Sequence, residues 1–397
     1  MIRSISAAVV FATLLAGTVL AGEVEGTADL RKQIEQLTQR VEAMERQDRL
    51  FQGGESWVDR FKFGGDFTYR HEMIRSEEPD ADEEIRHHHR FRMRLNMTAT
   101  VNDDVSFTLR LASGTGSATS TFQDVDGSFS DKDINIDQAF ARYEPKALEA
   151  CGFEATLGKV PNPFFKPGKT QLIWDGDLTP EGGAIKARLS IDPVEVFCVA
   201  GGFCIEEDAA NSDNLLFGVQ TGVKWPIMDT GVTLIAGASG FWFTPSKYEG
   251  PFGSAKGNSI DGVSGGYMYE FNLGEAFAEV HFKLFEIPVV AFGDFAINTD
   301  APNENTAFAA GVLVGKKKQQ WDWAFKYNYR DIEQDAVIGG LNDGTFGGGN
   351  ANCRGHEVGL SMRVAKNVDV GFTYFLNEVD EEGLTPVGEA EVDYDRL

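Results

Sequence analysis

Residues 90–101 read RFRMRLNMTATV, and polar and apolar side chains alternate through this stretch without a break. Side chains two residues apart in a strand lie on the same face, so the stretch predicts one apolar face and one polar face. The polar face carries Arg90, Arg92 and Arg94, which an apolar core does not accept without partners. A soluble antiparallel strand that faces solvent shows the same alternation. The interpretation therefore depends on whether the pattern recurs.

The alternation recurs in about sixteen runs from residue 60 onward. Most runs are longer than the five or six residues usual in soluble sheets and match the roughly 9 to 11 residues that cross a bilayer at a tilt. Changes of phase near Asp137 and Gly274 are interpreted as β-bulges. The runs span residues 60–71, 88–101, 104–113, 133–144, 152–160, 183–192, 194–205, 214–225, 231–243, 267–284, 287–298, 304–316, 321–333, 354–365, 367–378 and 391 onward.

The connections between the runs alternate in length. Short turns at 102–104, 192–193 and 365–367 take turns with long polar segments. Outer-membrane barrels have short periplasmic turns and long external loops, an arrangement that a soluble sandwich does not require. The sequence therefore predicts an all-β fold, a transmembrane antiparallel β-barrel of about 16 strands. The long segments are 72–87, 114–132, 161–182, 244–266, 334–353 and 379–390.

The first residues predict export. An apolar run from about Ala7 to Leu20 follows Arg3, and small residues precede Gly22, which is typical of a secretory signal peptide over residues 1–21. No later stretch approaches the roughly 20 consecutive apolar residues that a membrane helix needs. Insertion into a membrane would therefore require a closed barrel, because only such a sheet satisfies its own backbone hydrogen bonds in lipid.

Residues 22–52 predict a short periplasmic coiled coil. Ile34, Leu37, Val41 and Met44 are spaced by three and four residues, with charged and amide side chains between them. Two heptads are too few to be stable alone, so we expect this helix to associate with copies of itself on other subunits. A floppy amphipathic tail is the alternative. Residues 53–397 would then form the barrel.

The charge of the chain limits the classes of partner it can bind, and its cysteine content bears on disulfide formation. The chain of 397 residues carries a formal net charge of −25, which disfavours a nucleic-acid partner. Acidic residues cluster in segments between strands, as in residues 77–84, and a solvated loop explains them. A divalent-cation bridge to anionic lipopolysaccharide is the other interpretation. Four cysteines in an exported chain permit disulfides, and their pairing is left open.

Several motifs resemble the putative porin family of bacterial outer membranes. They are DQAF at 137–140, GKVPNPF at 158–164, WDGDLTPEG at 174–182 and YNYRDIEQDA at 327–336. The resemblance covers most of the chain after the signal peptide and implies a porin-type barrel that forms homotrimers. Such barrels finish with a complete strand that ends in an aromatic residue. This chain stops at Tyr394-Asp395-Arg396-Leu397, so we expect a truncated last strand.

The polar rows would line the pore if the apolar rows face lipid. In general porins the third external loop, here residues 161–182, folds into the lumen. We expect its acids to face a wall of arginines and to create a transverse field that orients dipolar solutes. Alternatively, the arginines only pair with neighbouring carboxylates such as Asp66 and stiffen the wall. The expected lining and constriction residues are Lys62, Arg70, Arg90, Arg92, Arg94, Arg110, Asp175, Asp177, Glu181, Lys186, Arg188, Lys326 and Arg330.

These features predict a bacterial outer-membrane porin through which small hydrophilic solutes and ions diffuse passively. Outer-membrane lipid, lipopolysaccharide and further copies of the chain are its expected partners. The sequence predicts no catalysis, no cofactor and no metal site. An anion channel selective for phosphate-like or carboxylate solutes, with the arginines as a binding ladder, is the second interpretation. A barrel enzyme, or a tether that uses the coiled coil to reach the cell wall, is the third.

Overall fold

The computed structural model describes residues 35–40, 57–77, 84–207, 213–244, 246–252, 254–380 and 391–396. The chain divides into two compact units, Met1–Arg60 and Phe61–Leu397. In the first unit, residues 35–40 are helical and a 3-10 helix spans Trp57–Arg60. The signal peptide and the rest of the predicted coiled coil lie outside the described residues and stay predictions. No helix in the described ranges is long and apolar enough to cross a membrane.

The second unit is an antiparallel sheet of 17 strands among the described residues, and one of them, β4, is only 2 residues long. The strands are β1 Phe61–Glu77, β2 Glu84–Thr100, β3 Val105–Ser113, β4 Gln123–Asp124, β5 Ile134–Tyr143, β6 Glu154–Lys159, β7 Glu181–Ile191, β8 Val194–Glu206, β9 Asn214–Ile227, β10 Val232–Thr244, β11 Phe271–Leu284, β12 Ile287–Asn298, β13 Thr306–Gly315, β14 Trp323–Ile332, β15 Cys353–Ala365, β16 Val368–Asp380 and β17 Glu391–Arg396. Short 3-10 helices span Lys146–Cys151, Pro167–Lys169 and Phe346–Gly349.

Neighbours in sequence are neighbours in the sheet, apart from β4, which pairs with β2 and lets β3 pair directly with β5. The last strand pairs with both β16 and β1, and its contact with β1 runs from Ile74↔Arg396 to Glu77↔Asp393. Among the described residues, that pairing joins the two ends of the sheet at its loop end, over residues 74–77 of β1 and 375–380 of β16. A closed antiparallel sheet leaves no edge strand, which is the arrangement that lets strands span a bilayer.

Each of the sixteen predicted runs corresponds to one strand of 6 to 17 residues, so the predicted fold class is confirmed. The bulge at Asp137 is also confirmed, because the register shifts between Arg110↔Gln138 and Leu111↔Ile136. The bulge at Gly274 is wrong, since Gly274 pairs in continuous register with both neighbouring strands. The apparent change of phase there arises because the inward row of β11 changes from apolar side chains to buried glutamates.

The connections form two sets at opposite ends of the strands, as predicted. At the short-turn end they comprise residues 101–104, 144–153, 192–193, 228–231, 285–286, 316–322 and 366–367. At the loop end they comprise residues 78–83, 114–133, 160–180, 207–213, 245–270, 299–305, 333–352 and 381–390.

Burial in the barrel is reversed relative to a soluble sheet. Apolar rows lie outside: Phe63 and Phe67 are each 69% exposed and Val370 is 60% exposed. Polar side chains on the opposite faces are buried, and Gln220 and Asn328 are completely so. Lipid is the solvent that suits such an exterior, because oil-facing and lumen-facing residues alternate along every strand of a membrane barrel.

One part of the interior differs from the expectation of polar rows throughout. Inward aromatic side chains near the loop end of β10 and β11, such as Phe241, Phe243 and Phe271, are buried in an apolar cluster. Residues of three loops, 160–180, 245–270 and 333–352, complete that cluster. The loops fold inward and cover the wall, so an apolar surface there is removed from water.

Candidate pore constriction

Loop 160–180 enters the barrel and is fixed to the wall formed by β9 and β11 by two inward side chains. Gln220 on β9 accepts a hydrogen bond from the backbone N–H of Phe165 at 2.6 Å and donates one to its carbonyl oxygen at 3.0 Å. Glu279 on β11 accepts a hydrogen bond from the backbone N–H of Gly168 at 2.5 Å. Both side chains are buried, so each would lose a required partner if the loop left the lumen.

Close packing holds the same loop in position. Gly168 has a φ of +57°, and a Cβ there would lie 2.2 Å from a ring carbon of Phe292. Only glycine permits this approach. Further along the loop, the rings of Phe164 and Trp174 pack edge-on against Phe241, with centroids 4.9 and 5.0 Å away.

The inserted loop brings one acid to the arginine wall. Oδ1 of Asp177 lies 3.6 Å from Nη1 of Arg92 and 3.8 Å from Nη1 of Arg94. The same two arginines contact Asp66 from β1, at 3.5 Å for Arg92 and 2.9 Å for Arg94. Two guanidinium groups are therefore held between one carboxylate of the wall and one of the loop.

A second loop covers the rest of the wall. The ring of Phe122, in loop 114–133, lies 4.0 Å from the guanidinium carbon of Arg70 and 5.0 Å from that of Arg92. Stacking of guanidinium groups on an aromatic ring is favourable and orients them. Arg90 donates a hydrogen bond to Asp124 of β4 at 2.7 Å.

The two loops also contact each other. The backbone N–H and the hydroxyl of Thr121 both donate to Oδ2 of Asp177 at 3.2 Å. Asp177 therefore joins loop 114–133, loop 160–180 and the arginine wall. It is the one predicted constriction acid that the described structure places against the arginines.

Asp175 differs from the expectation that it faces the arginine wall. It is 5% exposed and its carboxylate accepts hydrogen bonds from the backbone N–H groups of Gly344 at 2.9 Å and Asp177 at 2.6 Å. Its own N–H donates to the carbonyl of Leu341 at 2.8 Å. Asp175 thus ties loop 160–180 to loop 333–352. Burial raises its pKa to about 7, although the hydrogen bonds oppose the rise.

Glu181 also departs from the expected arrangement, since it begins β7 instead of lying in the loop. Its carboxylate pairs with Nζ of Lys159 on β6 at 2.8 Å. Arg110 forms an ion pair with Asp137, the residue of the bulge. Both pairs lie between adjacent elements of the wall, as the wall-stiffening alternative expects.

The remaining predicted cations lie on inward faces at several levels. Lys62 is exposed near the short-turn end of β1, and Arg188 is exposed near that end of β7. Lys186 lies 3.3 Å from Glu154. Lys326 lies 2.7 Å from Glu357.

Arg330 is inward but does not meet water, which corrects its prediction as a lining residue. It is completely buried and contacts Asp343 at 2.7 Å and Glu357 at 2.6 Å. The ring of Phe346 lies 4.1 Å from its guanidinium carbon. Loop 333–352 folds over it, and alternation along β14 alone does not reveal that cover.

A polar cavity of about 670 Å³ adjoins the constriction. Hydroxyl groups of Ser113, Thr121 and Thr179 line it together with Asp177 and Lys159. Both signs of charge and many hydroxyls therefore face the same space.

Sequence reasoning missed the residues that position the loops. Phe122 lies in a long segment without periodicity, so nothing marks it as a cover for arginines. Gln220 and Glu279 do occupy predicted inward positions of their strands, and a buried amide or acid on such a row is a usable signal. Their partners, which are loop backbone groups, cannot be read from alternation.

The described residues contain no group of three or more His, Cys, Asp or Glu side chains able to hold a metal ion. The four cysteines, all in described segments, are free: Cys151, Cys198, Cys204 and Cys353.

Comparisons with known proteins agree with this geometry. A family model described as "Putative porin" matches residues 77–244 and 269–381. Among solved structures, Pseudomonas putida OprB matches with a TM-score of 0.52 at 11% identity, covering 87% of this chain and 96% of its own. Salmonella typhi OmpF in complex with daunomycin matches with a TM-score of 0.47 at 13% identity, covering 86% and 98%. The likeness to OprB supports the barrel fold. No curated protein sequence matched the chain.

Proposed function

The chain belongs to the putative porin family of bacterial outer-membrane channel proteins, and we propose that it forms a water-filled pore through which small hydrophilic solutes and ions diffuse passively. Members of the family are channels and not enzymes, and the proposed function includes no catalysis and no cofactor. Loop 160–180 narrows the lumen, and the charged groups on either side of it select among solutes.

The observation that carries the proposal is the position of Asp177 against Arg92 and Arg94. Carboxylate and guanidinium groups of opposite sign, 3.6 and 3.8 Å apart, face each other where an inserted loop meets the wall. Charges of both signs at this edge of the lumen produce a local field, which orients water and dipolar solutes without binding them tightly.

The balance of charges favours diffusion over an anion-binding ladder. Arg90 pairs with Asp124, and Arg92 and Arg94 contact both Asp66 and Asp177. Arginines whose charge is already matched attract anions less than unpaired ones. A ladder for phosphate-like or carboxylate solutes would need these guanidinium groups to be available.

Reversal potentials in planar bilayers test the proposal. Replacing Arg92 and Arg94 together by Gln should shift permeability toward cations, and Asp177→Asn should shift it toward anions. A charge about 4 Å from an ion in water is worth about 1 kcal/mol, so removing the single charge of Asp177 should alter the permeability ratio about fivefold, and removing both arginine charges should alter it more. Asp103→Asn, on a short turn where Asp103 pairs with exposed Lys146, is the control and should leave the ratio unchanged.

Conductance as a function of salt separates the candidate functions. A diffusion pore conducts in proportion to salt, whereas a ladder saturates and is blocked by its preferred anion. Unchanged selectivity in both constriction variants would contradict the proposed constriction. A protein that does not conduct at all would favour the tether.

We propose further that the chain assembles as a homotrimer in contact with outer-membrane lipid and lipopolysaccharide. Exposed apolar side chains lie on the outward faces of many strands, from Phe63 on β1 to Phe372 on β16, so subunit contacts and lipid contacts can share the exterior. Detergent-solubilised complexes with the mass of a single chain would contradict the trimer.

A further inference from the structure

A second cavity, of about 330 Å³, lies away from the constriction. It is formed by inward side chains near the short-turn ends of β7 to β10 and by Pro163, Phe164 and Phe165 of loop 160–180. We call it the aromatic–cation cavity, after the two kinds of side chain that line it. Its size is within the range of small-molecule sites.

Aromatic rings form one side of the cavity. The centroids of the Phe165 and Phe197 rings are 5.9 Å apart. Gly222 lies beside Phe197 in the register of the sheet, and a Cβ at Gly222 would come within 2.3 Å of that ring. The glycine therefore leaves room for the ring to lie flat across the wall.

Cationic groups form the other side. Lys186, Arg188 and Lys224 all line the cavity. Lys186 is matched by Glu154 at 3.3 Å, but Arg188 and Lys224 make no ion pair with any acid in the described part of the chain. Glu195 is paired with Lys224 in strand register without forming a salt bridge to it. The cavity is thus lined by three cations and one acid, Glu195, and two of the cations form no salt bridge, unlike Arg92 and Arg94.

This combination fits a ligand that has both an apolar ring and one negative charge. A guanidinium binds a carboxylate through two parallel hydrogen bonds, and a nearby ammonium adds to the attraction. A small hydrophilic anion would leave the rings unused, and a neutral aromatic molecule would leave the cations without a partner. Burial of an aromatic ring against phenylalanines is favourable by area alone.

We infer that the aromatic–cation cavity binds an aromatic monocarboxylate, with its carboxylate on Arg188 and Lys224 and its ring against Phe165 and Phe197. The site lies apart from the constriction, so the inference goes beyond the proposed diffusion function and does not require it. A solute bound there would lie on the inner wall, on the short-turn side of loop 160–180.

Isothermal titration of the detergent-solubilised full chain with benzoate tests the inference without requiring conduction. Benzoate should bind saturably, whereas acetate and benzyl alcohol, which each lack one of the two features, should bind far more weakly. Arg188→Gln should raise the benzoate dissociation constant about tenfold, since one charge-assisted contact is lost. Phe197→Ala should weaken binding in the same direction, and Arg188→Lys should weaken it less than Arg188→Gln.

Lys283→Gln is the matched control. Lys283 lies on the inward face of β11 near the same short-turn end, and its partner is the exposed Glu286. Removing its charge should leave benzoate binding unchanged. No saturable heat up to about 10 mM benzoate would overturn the inference, as would equal loss of binding in the Arg188 and Lys283 variants. A protein that binds benzoate but does not conduct would refute only the diffusion function, and a conducting protein that does not bind benzoate would refute only this inference.

Discussion

Single inward side chains are held by partners that come from other strands and from loops. Arg330 is the most enclosed example: its Nε donates to Asn328 at 3.1 Å, its two Nη groups contact Asp343 and Glu357, and Phe346 covers its plane. The planar guanidinium group has five N–H donors in fixed directions and can contact all of these acceptors at once. The single ammonium group of a lysine could not contact them in the same way.

Replacing Arg330 by Met should strongly destabilise the barrel. The variant leaves Asp343 and Glu357 buried without a guanidinium between them, and the loss of one partner of a buried ion pair costs about 3 to 5 kcal/mol. Unfolding in urea from detergent micelles, followed by the gel mobility of the folded barrel, measures the change. Arg363→Gln removes an exposed pair with Asp369 and should have little effect. Equal stability of the two variants would contradict the structural role given to Arg330.

Sequence alternation predicted which face each of these side chains occupies but not its partner. The period of two places Arg92, Arg94 and Arg330 alike on inward faces. Two of them meet Asp177 at the loop and the third is sealed beneath loop 333–352. The difference comes from long-range contacts of segments that have no periodicity, and such contacts leave no local pattern in the sequence.

Strands and loops differ in how far the sequence determines them. The sixteen strands of six or more residues and the alternation of short turns with long loops follow from residue patterns, because lipid outside and water inside act on every residue of a strand. The two-residue strand β4 was missed, since a bridge that short has no period. The inward course of loop 333–352 is not predicted either, because it depends on Asp175, which lies 169 residues from its partner Gly344, and on the folding of the loop back over Arg330.

The contact between loops 160–180 and 333–352 should weaken as pH rises. Burial raises the pKa of Asp175 to about 7, above the ordinary value near 3.9, so the joined loops hold a proton that separated loops release. Their junction should be most stable below about pH 4, lose stability up to about pH 7 and change little above it. Hydrogen exchange at the Gly344 and Asp177 amides, corrected for the intrinsic rate, should be slower at pH 5 than at pH 8.

Asp175→Asn is the control for that dependence, because an amide does not titrate in this range. The corrected exchange rates of the variant should be nearly equal at the two pH values. Faster exchange at pH 5 than at pH 8 in the unaltered chain would contradict the assignment of the junction to a protonated Asp175.

At the scale of the whole molecule, the closed sheet separates two environments. Apolar rows such as Phe63 and Val370 face outward, whereas Gln220, Asn328 and Arg330 are buried inside. Inserted loops then divide the interior into an apolar cluster, a charged constriction and the aromatic–cation cavity. The proposed pore and the inferred binding site both depend on this one assignment of faces.

Cysteine accessibility over the stretch at 93–98 tests that assignment most directly. The background variant has each native cysteine replaced by Ser, that is Cys151, Cys198, Cys204 and Cys353. Single cysteines are then introduced one at a time at Met93, Leu95, Asn96, Met97 and Thr98. Each variant, in lipid vesicles, is treated with a small charged methanethiosulfonate reagent. We expect rapid reaction at Asn96 and Thr98, which face water inside, and protection at Met93, Leu95 and Met97, which face lipid. Reaction at the odd positions with protection at the even ones, or no alternation at all, would contradict the account.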